Sequence, residues 1–167
     1  MSLANGTRMQ TAVGSRPVEI FAVGDMVLAG SGREGSWSWA PTAVQFSSGT
    51  GPGHWQPAMV YLRFGEDREL IVAPDQLLMT DGNRLQRAGL LVPGNSLIAA
   101  DGTAVALDLV SMGGFQGGAH SIAMNIDASN AQWDGHLLVC AGVIGGDFWL
   151  QMRQEEQWMA QYLAPAV

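Results

Sequence analysis

Alternation rather than helical periodicity dominates the apolar pattern of this chain. Trp37 and Trp39 alternate with Ser36 and Ser38, the period-two signature of a half-buried strand, and Ala43-Val44-Gln45-Phe46 continues in that style. Residues 58–64 predict a strand, residues 69–73 predict another, and Gly65-Glu66-Asp67 turns the chain between them, so 58–73 is expected to be a hairpin. Upstream, residues 16–23 read as a strand or strand-turn, Gly24-Asp25 as a turn, and Met26-Val27-Leu28-Ala29 as the next strand. Composition marks residues 30–35 and 47–53 as loops. Residues 76–79, 85–88, 105–110 and 120–126 add further apolar runs, and 136–141 with Val143-Ile144 forms a last pair around Gly142. Only the tail carries helical spacing. Trp149, Met152, Met159, Tyr162 and Leu163 recur near that period, Asp147 is placed to cap the helix, and Pro165 lies beyond its end. The pattern predicts a β domain over residues 1–147 with a helical tail, 148–167, packed on it.

One phrase occurs twice. Val23-Gly24-Asp25-Met26-Val27-Leu28-Ala29 returns 70 residues later as Val92-Pro93-Gly94-Asn95-Ser96-Leu97-Ile98-Ala99. Gly24 answers Gly94, Asp25 answers Asn95, Val27 answers Leu97, Leu28 answers Ile98 and Ala29 answers Ala99. A turn signal and a short apolar stretch precede each copy: Thr11-Ala12-Val13-Gly14 before the first, Thr80-Asp81-Gly82 before the second. Two copies of one β unit in 167 residues, the length of one domain, predict an all-β, pseudo-twofold fold of two related halves.

Composition narrows the function classes. Hydrophobic residues make up 47% and charged residues 14%, which excludes a disordered chain. The net charge is −7 and all eight basic residues are Arg, so a basic face for nucleic acid is not expected. The absence of Lys excludes Schiff-base chemistry and a P-loop. Cys140, the single cysteine, forms no internal disulfide and no Cys-based metal site, and is expected to be an inert buried thiol. Neither a membrane-length apolar run nor the layout of a signal peptide is present, so the default expectation is a cytoplasmic monomer. His54, His120 and His136 lack the spacing of metal ligands, so no metal and no cofactor is expected. Core packing is the more economical reading of Trp37, Trp39 and Trp55, ahead of a sugar-binding surface.

Several stretches, in order, resemble the hedgehog/intein (Hint) superfamily. Ser2-Leu3-Ala4-Asn5-Gly6-Thr7 is similar to its opening block, in which Cys or Ser leads and Gly-Thr comes a few residues later. Val18-Glu19-Ile20 and the phrase at 23–29 resemble the next stretch. Val72-Ala73-Pro74-Asp75-Gln76 stands where the family carries Thr-x-x-His, and Leu91-Val92-Pro93-Gly94-Asn95 resembles the family's stretch just after that block. Asp127 and then residues 136–144 are similar to the late block near the splice junction. The resemblance covers residues 2–147 and implies a flat all-β horseshoe of two related halves.

It also implies an autoprocessing chemistry. The first residue's hydroxyl or thiol attacks the preceding carbonyl through a five-membered ring, an acyl shift in which positioning supplies much of the rate. A His in the Thr-x-x-His block protonates the leaving amine. On this reading Ser2 is the nucleophile, and a hydroxyl needs an activating base. The partner is the chain's own N-terminal flanking polypeptide. This sequence departs from the pattern at three places: Ala73 stands for the Thr, Gln76 for the His, and Gly145-Gly146-Asp147 for the His-Asn that inteins cyclise. It is therefore not expected to splice. Asp75, if buried, is a candidate replacement acid, and the bland alternative is a turn Asp after Pro74. His136 matches the late-block His and is the best surviving acid–base candidate, the alternative being a strand-end His satisfied by backbone. His54, after a Gly-rich loop, and His120 are weaker candidates. Two functions stand at this stage: slow self-cleavage at the N-terminal junction, or a Hint-fold module that has lost processing and serves as a structural or binding domain. A hydrolase acting in trans has neither a Gly-x-Ser-x-Gly elbow nor a Ser/His/Asp order to support it.

Overall fold

A computed structural model describes residues 2–127, 129 and 131–165. Its strands, in chain order, are β1 (Leu3–Ala4), β2 (Arg8–Thr11), β3 (Gly14–Pro17), β4 (Met26–Arg33), β5 (Ser36–Gly49), β6 (Trp55–Phe64), β7 (Arg68–Val72), β8 (Leu77–Thr80), β9 (Arg84–Arg87), β10 (Ser96–Ile98), β11 (Ala104–Gln116), β12 (Ala119–Met124), β13 (Leu137–Cys140) and β14 (Val143–Gly146). The one α-helix among the described residues is α1 (Phe148–Gln151). The all-β architecture with a short C-terminal helix is as expected, and β6 and β7 form the expected hairpin with Tyr61 opposite Ile71. Among the described residues no helix is long and apolar enough to cross a membrane.

The strands run β14-β8-β10-β11-β6-β7-β1-β12-β5-β4-β13-β2-β3 by hydrogen bonding, and β13 also pairs with β14, so the path closes on itself. The repeat is visible bond by bond. Gly24 and Gly94 both have φ of 99°. Asp25 Oδ2 accepts from Ala22 N–H at 2.8 Å, and Asn95 Oδ1 accepts from Val92 N–H at 2.9 Å. The backbone bonds match as well: Gly24 N–H to Val44 O and Val44 N–H to Asp25 O, then Gly94 N–H to Leu107 O and Leu107 N–H to Asn95 O. A single turn of 3₁₀ helix precedes each copy, Val18–Ile20 and Ala88–Leu90. The hairpin β13–β14 joins the halves: β13 pairs with β2 and β4 of the first, β14 with β8 of the second. Val27 and Leu97, equivalent residues, are both buried in the main core, each contributing about 1.5–3 kcal/mol.

Two expected loops are strand in part, while residues 34–35 and 50–53 are turn and loop as expected. Residues 30–33 continue β4, with Gly30 opposite Trp39 and Gly32 opposite Trp37. Gly30 is a seat for an aromatic ring rather than a loop former, since a Cβ there would fall 2.4 Å from a Trp39 ring carbon, and Gly32, at φ of 135°, lets the backbone of Ser36 approach to within 2.0 Å of where a Cβ would stand. Residues 47–49 belong to β5, whose pairing with β12 extends through Gly49. The stretch 16–23, expected as a strand or strand-turn, is the second: the strand ends at Pro17 and turns into the 3₁₀ helix.

The tail is less helical than its spacing implies. Asp147 caps α1 as expected, its side chain accepting from Leu150 N–H, but α1 is one turn long and a 3₁₀ helix forms only later, at Gln157–Gln161. Met152 is 66% exposed, so it leaves the predicted apolar stripe. Trp149, Leu150, Met159 and Tyr162 pack into a second apolar cluster with Trp133 and Leu137. Backbone bonds Leu85 N–H to Tyr162 O and Ala164 N–H to Leu85 O lay the chain along β9. Residues 166–167 of the expected tail lie outside the described residues.

Candidate functional site

Ser2 is held at every polar atom, and it is 3% exposed. Its N–H donates to Ser121 Oγ at 3.0 Å, and its C=O accepts from Ala73 N–H at 2.8 Å. Ser2 Oγ lies 3.0 Å from the same Ser121 Oγ and donates to Gln151 Oε1. Three elements build this grip. The pairing of Leu3 with Val72 and with His120 inserts β1 between β7 and β12, which carries Ser2 into the core beside Ser121. The capped turn α1 then brings Gln151 over it.

Gln76 and His136 flank the segment that leads into α1. Gln76 is 1% exposed, and its Nε2 donates to Gly146 O at 2.8 Å and Leu77 O at 2.9 Å. His136, also 1% exposed, contacts Asp147 Oδ2 through Nδ1 at 2.9 Å and stacks on Trp149 with ring centroids 4.0 Å apart. Asp147 Oδ2 further accepts from Met124 N–H at 3.2 Å and Oδ1 from Leu150 N–H at 2.9 Å. Burial raises the Asp147 carboxyl above the ordinary aspartate range, against the opposing pull of His136 and of those two N–H groups. An ionised Asp147 accepts from His136 Nδ1–H, which in a neutral imidazole leaves Nε2 as the acceptor. The Asp147 N–H to His136 O bond and the Gln151 N–H to Asp147 O bond tie the two groups of contacts into one buried polar unit.

The sequence profile of the Hint domain family matches residues 1–109. This chain belongs to the Hint domain family. Among solved structures, this Hint domain is similar to the bacterial intein-like domain from Clostridium thermocellum, with a TM-score of 0.72 and 16% identity over 87% of this chain and 98% of that one. It is also similar to a DnaB intein from Synechocystis sp. PCC 6803, at TM-score 0.66 and 10% identity over 87% and 97% of the two chains. A variant of the gp41-1 intein aligns at TM-score 0.63 and 16% identity over 87% and 98%. These are likenesses of fold. Comparison with curated protein sequences returned no match.

Within this Hint domain, Ser2, Gln76 and His136 of the sequence-derived candidates lie in the buried polar unit. Asp75 does not. It is exposed, and only its backbone C=O is engaged, by Gln154 Nε2 at 2.7 Å, so the burial that an acid role requires is missing. The tight turn after Pro74 presents Gln76 inward and Asp75 outward. His54 is exposed in the loop before β6. His120 faces away from Ser121 along β12, and its Nε2 lies 2.7 Å from Ser47 Oγ. Partial burial lowers its pKa, and Glu19 opposes that shift. Burial pushes the Cys140 thiol up to about 12. Trp37 and Trp39 are half-buried against the second apolar cluster, whereas Trp55 stands apart, 59% exposed. Sequence reasoning missed Ser121 and Gln151, and it took Asp147 for a cap without its His136 contact. Nothing local marks Ser121 or Gln151, which are 119 and 149 residues from the Ser2 that they touch.

Proposed function

We propose that this domain cleaves the peptide bond preceding Ser2 by an N-to-O acyl shift and does not splice. Ser2 Oγ attacks the carbonyl carbon of the preceding residue, the C–N bond breaks, and the resulting ester on Ser2 is resolved by an external nucleophile, either water or a thiol. The observation that carries this reading is the hold on Ser2: with N–H on Ser121 and C=O on Ala73, the hydroxyl and the amide nitrogen are both fixed against one neighbour. Fixing the reacting groups is the part of such a reaction that a protein supplies most effectively. Asp147 stands where a splicing domain needs Asn, and a carboxylate has no nitrogen with which to cyclise. His136, Gln76 and Asp147 hold the last strand and α1 against the nucleophile.

One observation favours a second reading, a Hint-fold module without processing. Gln76 directs its side-chain amide to two backbone carbonyls, and His136 is engaged by Asp147. Neither hydrogen-bonds Ser2. The deciding experiment fuses a folded reporter ahead of Ser2 and tracks the fusion by mass spectrometry with and without hydroxylamine. Cleavage at that junction, abolished by Ser2→Ala, is the expected outcome, and Gln76→His, which supplies an acid in this block, raises the rate. A fusion that stays intact for days while the domain is folded overturns the reading in favour of the module.

A further inference from the structure

We propose that Ser121 is a catalytic residue of this acyl shift, a hydroxyl that relays the nucleophile's proton to the leaving nitrogen. The inference rests on the self-cleavage reading above and names the group that replaces the missing acid. An acyl shift within one residue creates two proton demands. The attacking hydroxyl must lose a proton, and the departing amide nitrogen must gain one before the C–N bond breaks. Gln76 occupies the position of the family's acid, yet its side-chain amide reaches Gly146 O and Leu77 O instead of Ser2 N. The side chain hydrogen-bonded to Ser2 N is Ser121, at 3.0 Å, and its oxygen is also 3.0 Å from Ser2 Oγ. One oxygen therefore contacts both the proton source and the proton destination. Ser121 is 1% exposed on β12, and strand alternation turns its neighbour His120 to the other face, where it meets Ser47.

The step balances within three atoms. Ser2 Oγ forms a bond to the carbonyl carbon of the preceding residue, and its proton passes to Ser121 Oγ. The proton that Ser121 held passes to Ser2 N, which has become pyramidal and basic in the five-membered ring. The C–N bond then breaks, leaving an ester on Ser2 Oγ, a free amine on Ser2 and a neutral Ser121. No net proton enters or leaves, so no ionisable side chain is required. Gln151 sets the resting orientation: its Oε1 accepts from Ser2 Oγ, and the hydroxyl must turn from Gln151 toward Ser121 before attack.

The test uses the reporter fusion of the full chain. Ser121→Ala is expected to slow cleavage about 100-fold, the lower end of what a positioned acid–base group supplies, and Ser121→Thr is expected to restore the rate to within about tenfold of wild type. Rates in mixtures of H₂O and D₂O give the readout that a packing role leaves unchanged. The wild type yields a curved proton inventory, from two protons in flight, and Ser121→Ala a linear one. A linear inventory in the wild type overturns the relay without any need for the variant to fold, and so does a Ser121→Ala rate within about twofold of wild type. Ser2→Cys, cleaved with added thiol, separates the two readings. If neither the Ser2 nor the Cys fusion is cleaved while folded, the acyl shift and the relay fall together. If cleavage occurs and Ser121 proves indifferent, only the relay falls.

Discussion

Replacing Asp147 with Ala removes a carboxylate that serves three separate donors inside the core. Oδ1 caps α1 through Leu150 N–H, and Oδ2 accepts from Met124 N–H and from His136 Nδ1, with Asp147 itself 1% exposed. Loss of an N-cap costs about 1 kcal/mol. Met124 N–H and the His136 ring nitrogen are left without an acceptor where water does not reach, at about 1–3 kcal/mol each. The expected total is about 3–7 kcal/mol, which overlaps the roughly 3–5 kcal/mol for removing one partner of a buried pair and is a large share of the roughly 5–15 kcal/mol of a typical domain. Asp147→Asn separates the contributions. It keeps Oδ1 as the cap and turns an amide toward two donors. His136 can change tautomer and accept at Nδ1, but Met124 N–H cannot adapt, so the expected cost is about 1–3 kcal/mol. Urea titration monitored by tryptophan emission reads both variants, and Trp149 stacks on His136 beside the substitution. An Ala variant within about 1 kcal/mol of wild type at unchanged m-value, or an Asn variant costlier than Ala, refutes the reasoning.

The same carboxyl predicts a pH dependence. Its folded pKa is raised above the 3.8 of an exposed aspartate, so its contribution to stability is complete below that pH and is lost as pH rises through the folded value. Wild type should therefore lose stability relative to Asp147→Asn as pH rises from 3.8 toward the raised folded value; urea midpoints that stay parallel as pH rises contradict it. Gly24→Ala and Gly94→Ala place a side chain at φ of 99° with open space around the new Cβ. Each should cost about 1–3 kcal/mol from backbone strain alone, and the two values should agree within about 0.5 kcal/mol because the surrounding hydrogen bonds match; unequal costs break the equivalence of the halves. Cys140, with its thiol pushed up to about 12, should resist iodoacetamide at about pH 8 in the folded state and react fully in urea; native labelling at the unfolded rate contradicts its burial.

The repeat, the hairpin over 58–73 and the β class were legible because each rests on short-range rules: alternation of side chains, turn residues at fixed offsets, and a glycine where φ must be positive. Gly30 and Gly32 misled the same rules, since a glycine that opens a turn and a glycine in a strand that makes room for the Trp39 ring or the Ser36 backbone are the same letter. The tail was half-legible. Asp147 announced its cap, but the spacing of Met152 and Met159 did not disclose that α1 ends after one turn.

The order of residues alone thus determined two related β halves and put forward Ser2 as the candidate hydroxyl. Which groups meet that hydroxyl was decided only when β1 slotted between β7 and β12 and α1 folded back over it. Ser121 and Gln151 reach Ser2 through sheet register and a helix cap, both set by burial of apolar residues across the whole chain rather than by any neighbour in sequence. Asp75 and Gln76 make the same point in reverse: the candidate acid and the neighbour that stands for the family's His are separated into solvent and core by a single turn of backbone.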